Sequence, residues 1–513
     1  MDIPADDVPL GLDLKAKQYR KFNKIHVHSL SPLEIPLPIV NFANLSSVYK
    51  SFNEKLLENL SALSYNLPTP IQAQCIPVML KRVHVVASAP TGSGKTAAYL
   101  LPVLQSFTEH SSLSGSKQPV SFTPSQTSCP HQIRLFALIL APTQELVRQI
   151  WSEAIRLSRG LQEEHFIACL YRQHYASRGK KDTQQKNGKR IRENRLPKTT
   201  RILVATPYRI AHLLSLKGEQ CPLDLSELNW LVIDECDKLL ETDLSNSSGA
   251  TGEPEKKQHR PHSFRDQLNP VLMSLADSQC DKSPEKSVRV ALFSATVPDE
   301  VVKWSSTELP GLLPATKRTV LAEDGANTNS AVSSVKQELR YCGTEEGKLL
   351  EIRFMLARGM SYPCLIFMDS RERAKDIVKE ILLSDTDILA DMISSEKTPA
   401  QRAGVIRAFR EGRLNVLVCT DLLGRGIDFK GVSMVINYDL PSSKEEYIHR
   451  RRGERRLVHD LIGRSKREAN REEEAKENSA KRIEWLRRWN PHRKRISDLA
   501  GAKQKRMQNK LAA

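Results

Sequence analysis

The sequence predicts an α/β protein made of two tandem domains, each a doubly wound parallel sheet. Two observations lead to this prediction. Short apolar runs recur along the chain, and each ends in a polar cluster before a segment of helical periodicity, which is typical of parallel strands joined by helices. The series of runs stops at Phe293 and restarts at Cys364, beyond a polar stretch. A length of 513 residues accommodates two such domains with additional segments.

Composition shifts divide the chain into five regions. Pro32, Pro36 and Pro38 interrupt any regular helix near the start, so the first 40 residues are expected to form a flexible, extended arm. A short docked segment is the alternative, because Ile25 and Val27 are able to pack. The predicted regions are an N-terminal arm over 1–40, a first domain over 41–317, a linker over 318–336, a second domain over 337–449 and a basic tail, helical or disordered, over 450–513.

The charge of the chain indicates a polyanionic partner, most simply nucleic acid. The formal net charge is +17, and residues 449–513 carry 21 Lys and Arg against 9 Asp and Glu. The tail therefore supplies +12 of the total, so the body needs only a local basic surface.

The nine cysteines and the apolar content exclude several other classes of protein. No two cysteines form a C-x-x-C pair, which argues against a zinc site and a disulfide framework and favours a reducing compartment. The acidic start lacks the apolar core of a secretory signal, and no apolar run approaches the length of a membrane span. We therefore expect no membrane association.

A glycine-rich turn between a buried strand and a helix predicts a phosphate-binding loop. The apolar strand His84–Ser88 precedes it, and the helix begins near Ala97. Backbone N–H groups at such a helix start bind phosphate, Lys95 is placed for the β- and γ-phosphates, and Thr96 for Mg²⁺. The alternative is a turn with a chance lysine. The predicted ATP-binding loop consists of Ala89, which replaces the usual glycine, Pro90, Thr91, Gly92, Ser93, Gly94, Lys95 and Thr96.

Acidic residues after a second apolar strand complete the predicted catalytic site. Asp234 and Glu235 follow the strand Trp230–Ile233. A P-loop NTPase needs one carboxylate for Mg²⁺ and a neighbouring one for the attacking water, so we assign Asp234 to the metal and Glu235 to the water. The alternative is that Asp234 and Glu235 are ordinary surface acids that follow a strand. Asp237 is expected to hydrogen-bond with Ser294 and Thr296.

The ordered motifs resemble those of DEAD-box ATP-dependent RNA helicases over residues 40–450, which implies RecA-like domains. The motifs are Phe42, Gln72, Ala89–Thr96, Pro142–Leu146, Thr206–Arg209, Asp234–Asp237, Ser294–Thr296, Thr420–Asp428 and His449–Arg450.

This resemblance assigns roles to residues in both domains. It implies that adenine contacts Phe42 and Gln72, and that Asp428 lies near the ribose. The implied RNA-binding residues are Pro142, Thr143, Thr206, Arg209, Arg402, Thr420 and Asp421. The implied interdomain coupling residues are Asp237, Ser294, Thr296, Arg425, His449 and Arg450.

Three departures from the family pattern affect these assignments. Gln144 replaces an arginine, which implies one lost RNA-phosphate contact, and a glycine pair is missing after Leu170. In the last motif, Gly453 replaces the first arginine finger, while Arg456 matches the second and is the predicted catalytic finger. Leu457–Trp489 is expected to be a charged helix, so that the second domain lacks its closing strand. Either a nearby arginine substitutes for the finger, or a mis-joined exon or frame altered this stretch.

The resemblance implies an ATP-dependent RNA helicase that unwinds short duplexes with ATP and Mg²⁺. Stretches such as Arg425–Val432 are most similar to the Rok branch, which acts in small-subunit ribosome biogenesis. The branch implies precursor ribosomal RNA and ribosome-assembly proteins as partners, a monomer, and a location in the nucleus and nucleolus. The alternatives are a nucleotide-binding RNA clamp or assembly factor with little or no hydrolysis and, less favoured by the motifs, a DNA translocase.

Overall fold

The computed structural model describes most of both predicted domains. The described residues are 10–29, 35–49, 51–90, 92–113, 132–161, 165–170, 196–216, 221–240, 264–279, 287–312, 319–324, 336–383, 387–394, 396–420, 431–441, 446–447, 450 and 457–463. The chain divides into two compact units, Met1–Thr328 and Asn329–Ala513.

The first unit contains an eight-stranded sheet and a separate two-stranded one. Its strands are β1 (Ile25–Ser29), β2 (His84–Ser88), β3 (Ile133–Arg134), β4 (Ala137–Leu140), β5 (Ile167–Leu170), β6 (Ile202–Ala205), β7 (Leu223–Asp224), β8 (Trp230–Asp234), β9 (Arg289–Ser294) and β10 (Thr319–Asp324). The large sheet has the order β1-β10-β2-β9-β8-β4-β6-β5, and β3 pairs with β7. All of its pairs are parallel except the pair of β1 with β10.

Helices surround this sheet. They are α1 (Leu10–Phe22), α2 (Asn44–Val48), α3 (Glu54–Ala62), α4 (Pro70–Leu80), α5 (Lys95–Leu113), α6 (Gln144–Leu157), α7 (Pro207–Leu214), α8 (Cys236–Leu239), α9 (Phe264–Gln279), α10 (Asp299–Lys303) and α11 (Leu309–Leu312), with a π-helical turn at Trp304–Glu308. Strands β2, β4, β6 and β8 are buried along their whole length, as expected where helices cover both faces of a parallel sheet.

The second unit is a six-stranded parallel sheet with its own core. Its strands are β11 (Lys336–Gly343), β12 (Cys364–Met368), β13 (Ala390–Ile393), β14 (Val416–Thr420), β15 (Met434–Asn437) and β16 (Leu457–Gly463), and its helices are α12 (Glu345–Arg358), α13 (Arg371–Leu383) and α14 (Pro399–Arg410). The strand order is β11-β16-β15-β12-β14-β13. The predicted fold class, two parallel α/β domains in tandem, is confirmed.

The structure corrects the predictions for the N-terminal arm and the linker. Residues 10–29 form α1 and β1 rather than an extended arm, which is the docked alternative, and Ile25 is buried. Strand β10 lies within the predicted linker 318–336 and pairs with both β1 and β2. Each segment gains a hydrogen-bonded neighbour from the other, so neither is stabilised by its local sequence alone.

The predicted end of the second domain is also corrected. Leu457–Gly463 is the strand β16, inserted between β11 and β15, and not part of a charged helix. The second sheet therefore extends beyond residue 449, and its closing strand is present. The remainder of the predicted tail, 464–513, lies outside the described residues.

Within the described part of the chain, no helix combines the length and hydrophobicity needed to cross a bilayer.

Candidate functional site

The glycine-rich loop lies where the sequence predicts it, between β2 and α5. Gly92 and Gly94 have φ values of 80° and 86°, in the left-handed region that side chains disfavour. Helix α5 begins at Lys95, so its first turn, where backbone N–H groups have no carbonyl partner within the helix, directly follows the loop. A Cβ on Gly94 would clash with Nε2 of Gln72, so a side chain there would displace the Gln72 amide in addition to straining the backbone. Thr91 lies outside the described residues.

The side chains of the loop suit phosphate binding. Lys95 is buried, and its Nζ donates to the carbonyls of Ala89 at 2.8 Å and Pro90 at 3.1 Å. Ser93 Oγ is buried and has no hydrogen-bond partner in the described part of the structure. An ammonium group and an unsatisfied hydroxyl at the start of a long helix form an anion-binding arrangement.

Gln72 connects the loop to helix α4. Its Oε1 accepts from the N–H of Thr69 at 3.0 Å, and its Nε2 donates to the carbonyl of Gly94 at 3.0 Å. Phe42, the other predicted adenine contact, is 4% exposed and packs edge-on against Tyr65 with ring centroids 6.3 Å apart. Both side chains predicted to contact adenine thus have partners within the first unit.

Asp234 and Glu235 lie at the end of β8, two strands away from β2 in the sheet. Asp234 is buried, and its Oδ2 accepts from the hydroxyl of Tyr99 at 2.9 Å while its Oδ1 accepts from the N–H of Glu235 at 3.0 Å. Glu235 is buried and has a φ of 52°. This unfavourable backbone conformation at the strand end is of the kind that is retained at functional sites.

Burial raises the pKa of Asp234 to about 6, with a further contribution from the negative charge of Glu235. The nearby Lys95 charge and the hydrogen bonds from Tyr99 and the Glu235 backbone act in the opposite direction. The carboxylate is therefore incompletely neutralised by the protein, and a bound cation would stabilise its charged form.

The predicted hydrogen bonds of Asp237 are present. Ser294 Oγ donates to Asp237 Oδ1 and Thr296 Oγ1 donates to Asp237 Oδ2, both at 2.7 Å. Strand β9, which ends at Ser294, lies between β2 and β8. These bonds therefore join two neighbouring strand ends beside the phosphate loop.

The residues present fit a magnesium ion shared with phosphates. Thr96 and Asp234 offer hard oxygen ligands, which Mg²⁺ prefers. Among the described residues, no group of three or more His, Cys, Asp or Glu side chains is arranged to hold a metal ion. At a nucleotide, phosphates and water supply most of the ligands of Mg²⁺.

The predicted RNA-binding residues of the first unit lie at two helix starts. Thr143 Oγ1 accepts from the N–H of Leu146 at the start of α6, and Thr206 precedes α7. The preceding strands, β4 and β6, are neighbours, so Pro142–Thr143 and Thr206 follow adjacent strand ends. Arg209 is 6% exposed, and its Nε has no hydrogen-bond partner in the described portion.

In the second unit, only part of the predicted set is described. Arg402 donates from Nη1 to the carbonyl of Lys397 at 3.2 Å, and Thr420, at the end of β14, is buried with an Oγ1 that has no partner in the described regions. Like Thr91, five further predicted site residues lie outside the described residues: Asp421, Arg425, Asp428, His449 and Arg456.

Arg450, predicted to couple the domains, has its observed partners within the second unit. Its side chain is fully buried, donates to the Asp439 carbonyl at 2.7 Å and to Glu446 Oε1 at 2.9 Å, and lies 5.2 Å from the Phe367 ring. Its role in coupling remains a prediction.

Two residues that contact or form these sites were missed by the sequence analysis. In the first unit, the missed residue is Tyr99, which binds Asp234 and follows Lys95 by one helical turn, a spacing that places both on one face of α5. In the second unit, Asp439 follows β15 and binds Lys348 at 3.1 Å and Arg373 at 2.9 Å. No local pattern signals these ion pairs, because their members lie far apart in the chain.

Comparison with known proteins identifies both domains. A family model described as DEAD/DEAH box helicase matches residues 69–252, and one described as helicase conserved C-terminal domain matches residues 347–452. The chain is 38% identical over 458 residues to the "Probable ATP-dependent RNA helicase DDX52" of Rattus norvegicus, an alignment that covers 89% of this chain and 62% of the rat protein. The chain thus spans less than two thirds of that relative.

A yeast relative and a solved structure agree with these matches. The chain is 33% identical over 448 residues to the "ATP-dependent RNA helicase ROK1" of Lodderomyces elongisporus, covering 87% of this chain and 68% of the relative. The structure described as S. cerevisiae Dbp5 bound to RNA and ADP BeF3 has a TM-score of 0.57 and 22% identity, covering 83% of this chain and 90% of the other. At this identity the likeness shows the fold.

Proposed function

Since this chain belongs to the DEAD-box helicase family, we propose that it is an ATP-dependent RNA helicase that separates short RNA duplexes. The observation that carries the proposal is the meeting of the phosphate loop, Asp234–Glu235 and the Asp237–Ser294–Thr296 cluster at three neighbouring strand ends. The names of the relatives describe helicases and lend no support to a clamp without hydrolysis.

The geometry supports a division of roles in ATP hydrolysis. The loop N–H groups and Lys95 bind the phosphates, and Thr96 and Asp234 would hold Mg²⁺. When bound, that ion neutralises charge on the β- and γ-phosphates. Glu235, whose backbone lies in the left-handed region at the strand end, orients the attacking water.

RNA binding is supported by the helix starts after β4 and β6. Backbone N–H groups at a helix N-terminus attract phosphate, so α6 and α7 offer two adjacent sites for an RNA backbone. Arg209 and Thr420 each bury a polar atom without a partner in the described structure, which an RNA strand would satisfy.

We extend the proposal to precursor ribosomal RNA, with ribosome-assembly proteins as partners and the nucleolus as location. The support is the resemblance of Arg425–Val432 and the phosphate loop to the Rok branch, together with the relatives named ROK1. A monomer without membrane attachment completes the proposal.

The direct test is ATP hydrolysis and duplex separation with and without RNA. We expect RNA to stimulate hydrolysis in the wild type, and Lys95→Ala to lose at least about a hundredfold in rate, since removing one group that stabilises transition-state charge costs about 10²–10³-fold. Lys81→Ala, an exposed lysine at the end of α4, is the matched control and should behave as wild type. RNA-stimulated hydrolysis that survives Lys95→Ala would contradict the proposal.

A further inference from the structure

The Tyr99 hydroxyl contacts Asp234, one of the two side chains assigned to the metal ion. Tyr99 is fully buried on α5, and its O–H donates to Asp234 Oδ2 at 2.9 Å. The phenol oxygen of Tyr99 therefore contacts the carboxylate that would hold Mg²⁺.

The position of this hydroxyl is fixed by packing. The Tyr99 ring contacts the Phe293 ring on β9, with centroids 5.1 Å apart and planes inclined at 59°. A ring held against the central sheet presents its oxygen at one place, so the bond to Asp234 does not depend on a mobile loop.

Both oxygens of Asp234 are thereby held. Oδ1 accepts from the Glu235 N–H at 3.0 Å, and Oδ2 accepts from Tyr99. Two bonds on different oxygens fix the plane of the carboxylate, whereas the Glu235 bond alone would leave it free to rotate. Partners that orient a metal-binding carboxylate in this way typically account for about 10–100-fold in metal affinity.

We propose that Tyr99 is a positioning residue that orients Asp234 for Mg²⁺ bound with the nucleotide. The inference rests on the proposed ATP-dependent function. It predicts that the Tyr99 hydroxyl increases the gain in nucleotide affinity that Mg²⁺ provides. The binding of the phosphates by the loop is independent of that hydroxyl.

The test is Tyr99→Phe, which deletes one oxygen and keeps the ring against Phe293. ATP binding is measured by isothermal titration calorimetry, once with Mg²⁺ and once with EDTA. We expect the ratio of the two affinities to fall about tenfold, the lower end of the range for such partners. The affinity in EDTA should match that of the wild type, because Lys95 and the loop are unchanged, and this also shows that the variant is folded.

Tyr49→Phe is the matched control, because it deletes a hydroxyl bonded to the Pro77 carbonyl at 3.2 Å in the same unit. It should leave the ratio at the wild-type value. The inference is overturned if Tyr99→Phe keeps the wild-type ratio, or if it weakens ATP binding equally with and without Mg²⁺. If the wild type itself binds no ATP, the proposed function fails along with the inference, so the two failures are distinguishable.

Discussion

Asp234 and Asp439 occupy comparable places at the strand ends of the two sheets and have opposite surroundings. Asp234 receives hydrogen bonds from Tyr99 and from a backbone N–H, while the nearest cation, Lys95, is bonded to loop carbonyls. The Asp439 carboxylate accepts hydrogen bonds from the charged side chains of Lys348 and Arg373 and from the N–H of Asp369, at 2.9 to 3.1 Å. Both carboxylates are buried.

The difference shows that position at a strand end does not by itself make an acid functional. The protein neutralises Asp439 with its own cations, so that residue joins α12, α13 and the end of β15 as a structural centre. Asp234 lacks such neutralisation, and its raised pKa records this. A buried carboxylate that the fold leaves short of positive charge is a candidate for binding a cation.

The largest expected effect is in the second unit. Asp439→Ala removes the buried carboxylate that pairs with Lys348 and leaves that lysine, among the described residues, only the exposed Glu345, so it should lower the free energy of unfolding of this unit by about 3 kcal/mol, the lower end of the range for breaking a buried ion pair. Urea unfolding followed by hydrogen exchange of peptides from each unit measures the loss. Asp234→Ala is the counterpart in the first unit and should cost less, because Lys95 keeps its carbonyl partners. Equal losses in the two units would remove the distinction drawn above.

A smaller effect is expected where hydroxyls rather than cations support an acid. Thr296→Val keeps the shape of the side chain but removes the 2.7 Å bond to Asp237, and it should destabilise the first unit by about 2 kcal/mol, as for other bonds to charged groups. Thr108→Val, which removes a bond to the Gln105 carbonyl within α5, is the matched control. Thermal unfolding compares the two, and a larger loss at Thr108 would argue against the importance of the Asp237 cluster.

The smallest effect is a pH dependence. Burial raises the pKa of Asp234 to about 6 in the folded protein, above the ordinary value of 3.8 for an aspartate, so the folded state binds the proton more tightly. This carboxyl therefore lowers stability as the pH rises from about 4 through 6, and the penalty is complete above that range. In metal-free protein, the stability of Asp234→Asn relative to wild type should rise by about 1–2 kcal/mol between pH 5 and pH 8. A difference that stays constant across these pH values would show that the pKa is not raised.

The phosphate loop and the Asp234 strand end were predictable because their signals are local. Strands β2 and β8 are apolar along most of their length, and the residues that follow each strand carry the chemistry. Alternation of strand and helix in a parallel sheet then brings the strand ends to one edge. The sequence thus indicated which residues meet, but not the bonds that hold them.

Strand β16 escaped prediction because its stability comes from distant residues. Val458 and Leu461 are buried as expected of a strand, but the polar His459 and Asp460 between them are buried too. Their partners lie on neighbouring strands: Glu338 is 3.5 Å from His459, and Asn437 donates to Asp460 at 2.6 Å. Polar residues inside a strand become compatible with burial only through such tertiary pairs, which no local pattern reveals.

The double role of Gln72 affects how mutations at this position should be interpreted. The amide oxygen accepts from the N–H of Thr69 at the start of α4, and the amide nitrogen donates to the Gly94 carbonyl, so close to Gly94 that a Cβ there would displace it. The side chain of Gln72 thus connects α4 to the phosphate loop. A Gln72 variant could lose nucleotide affinity because this connection is broken or because a contact to the base is lost. Measuring the affinities of nucleotides that differ in the base but carry the same phosphates would separate the two causes.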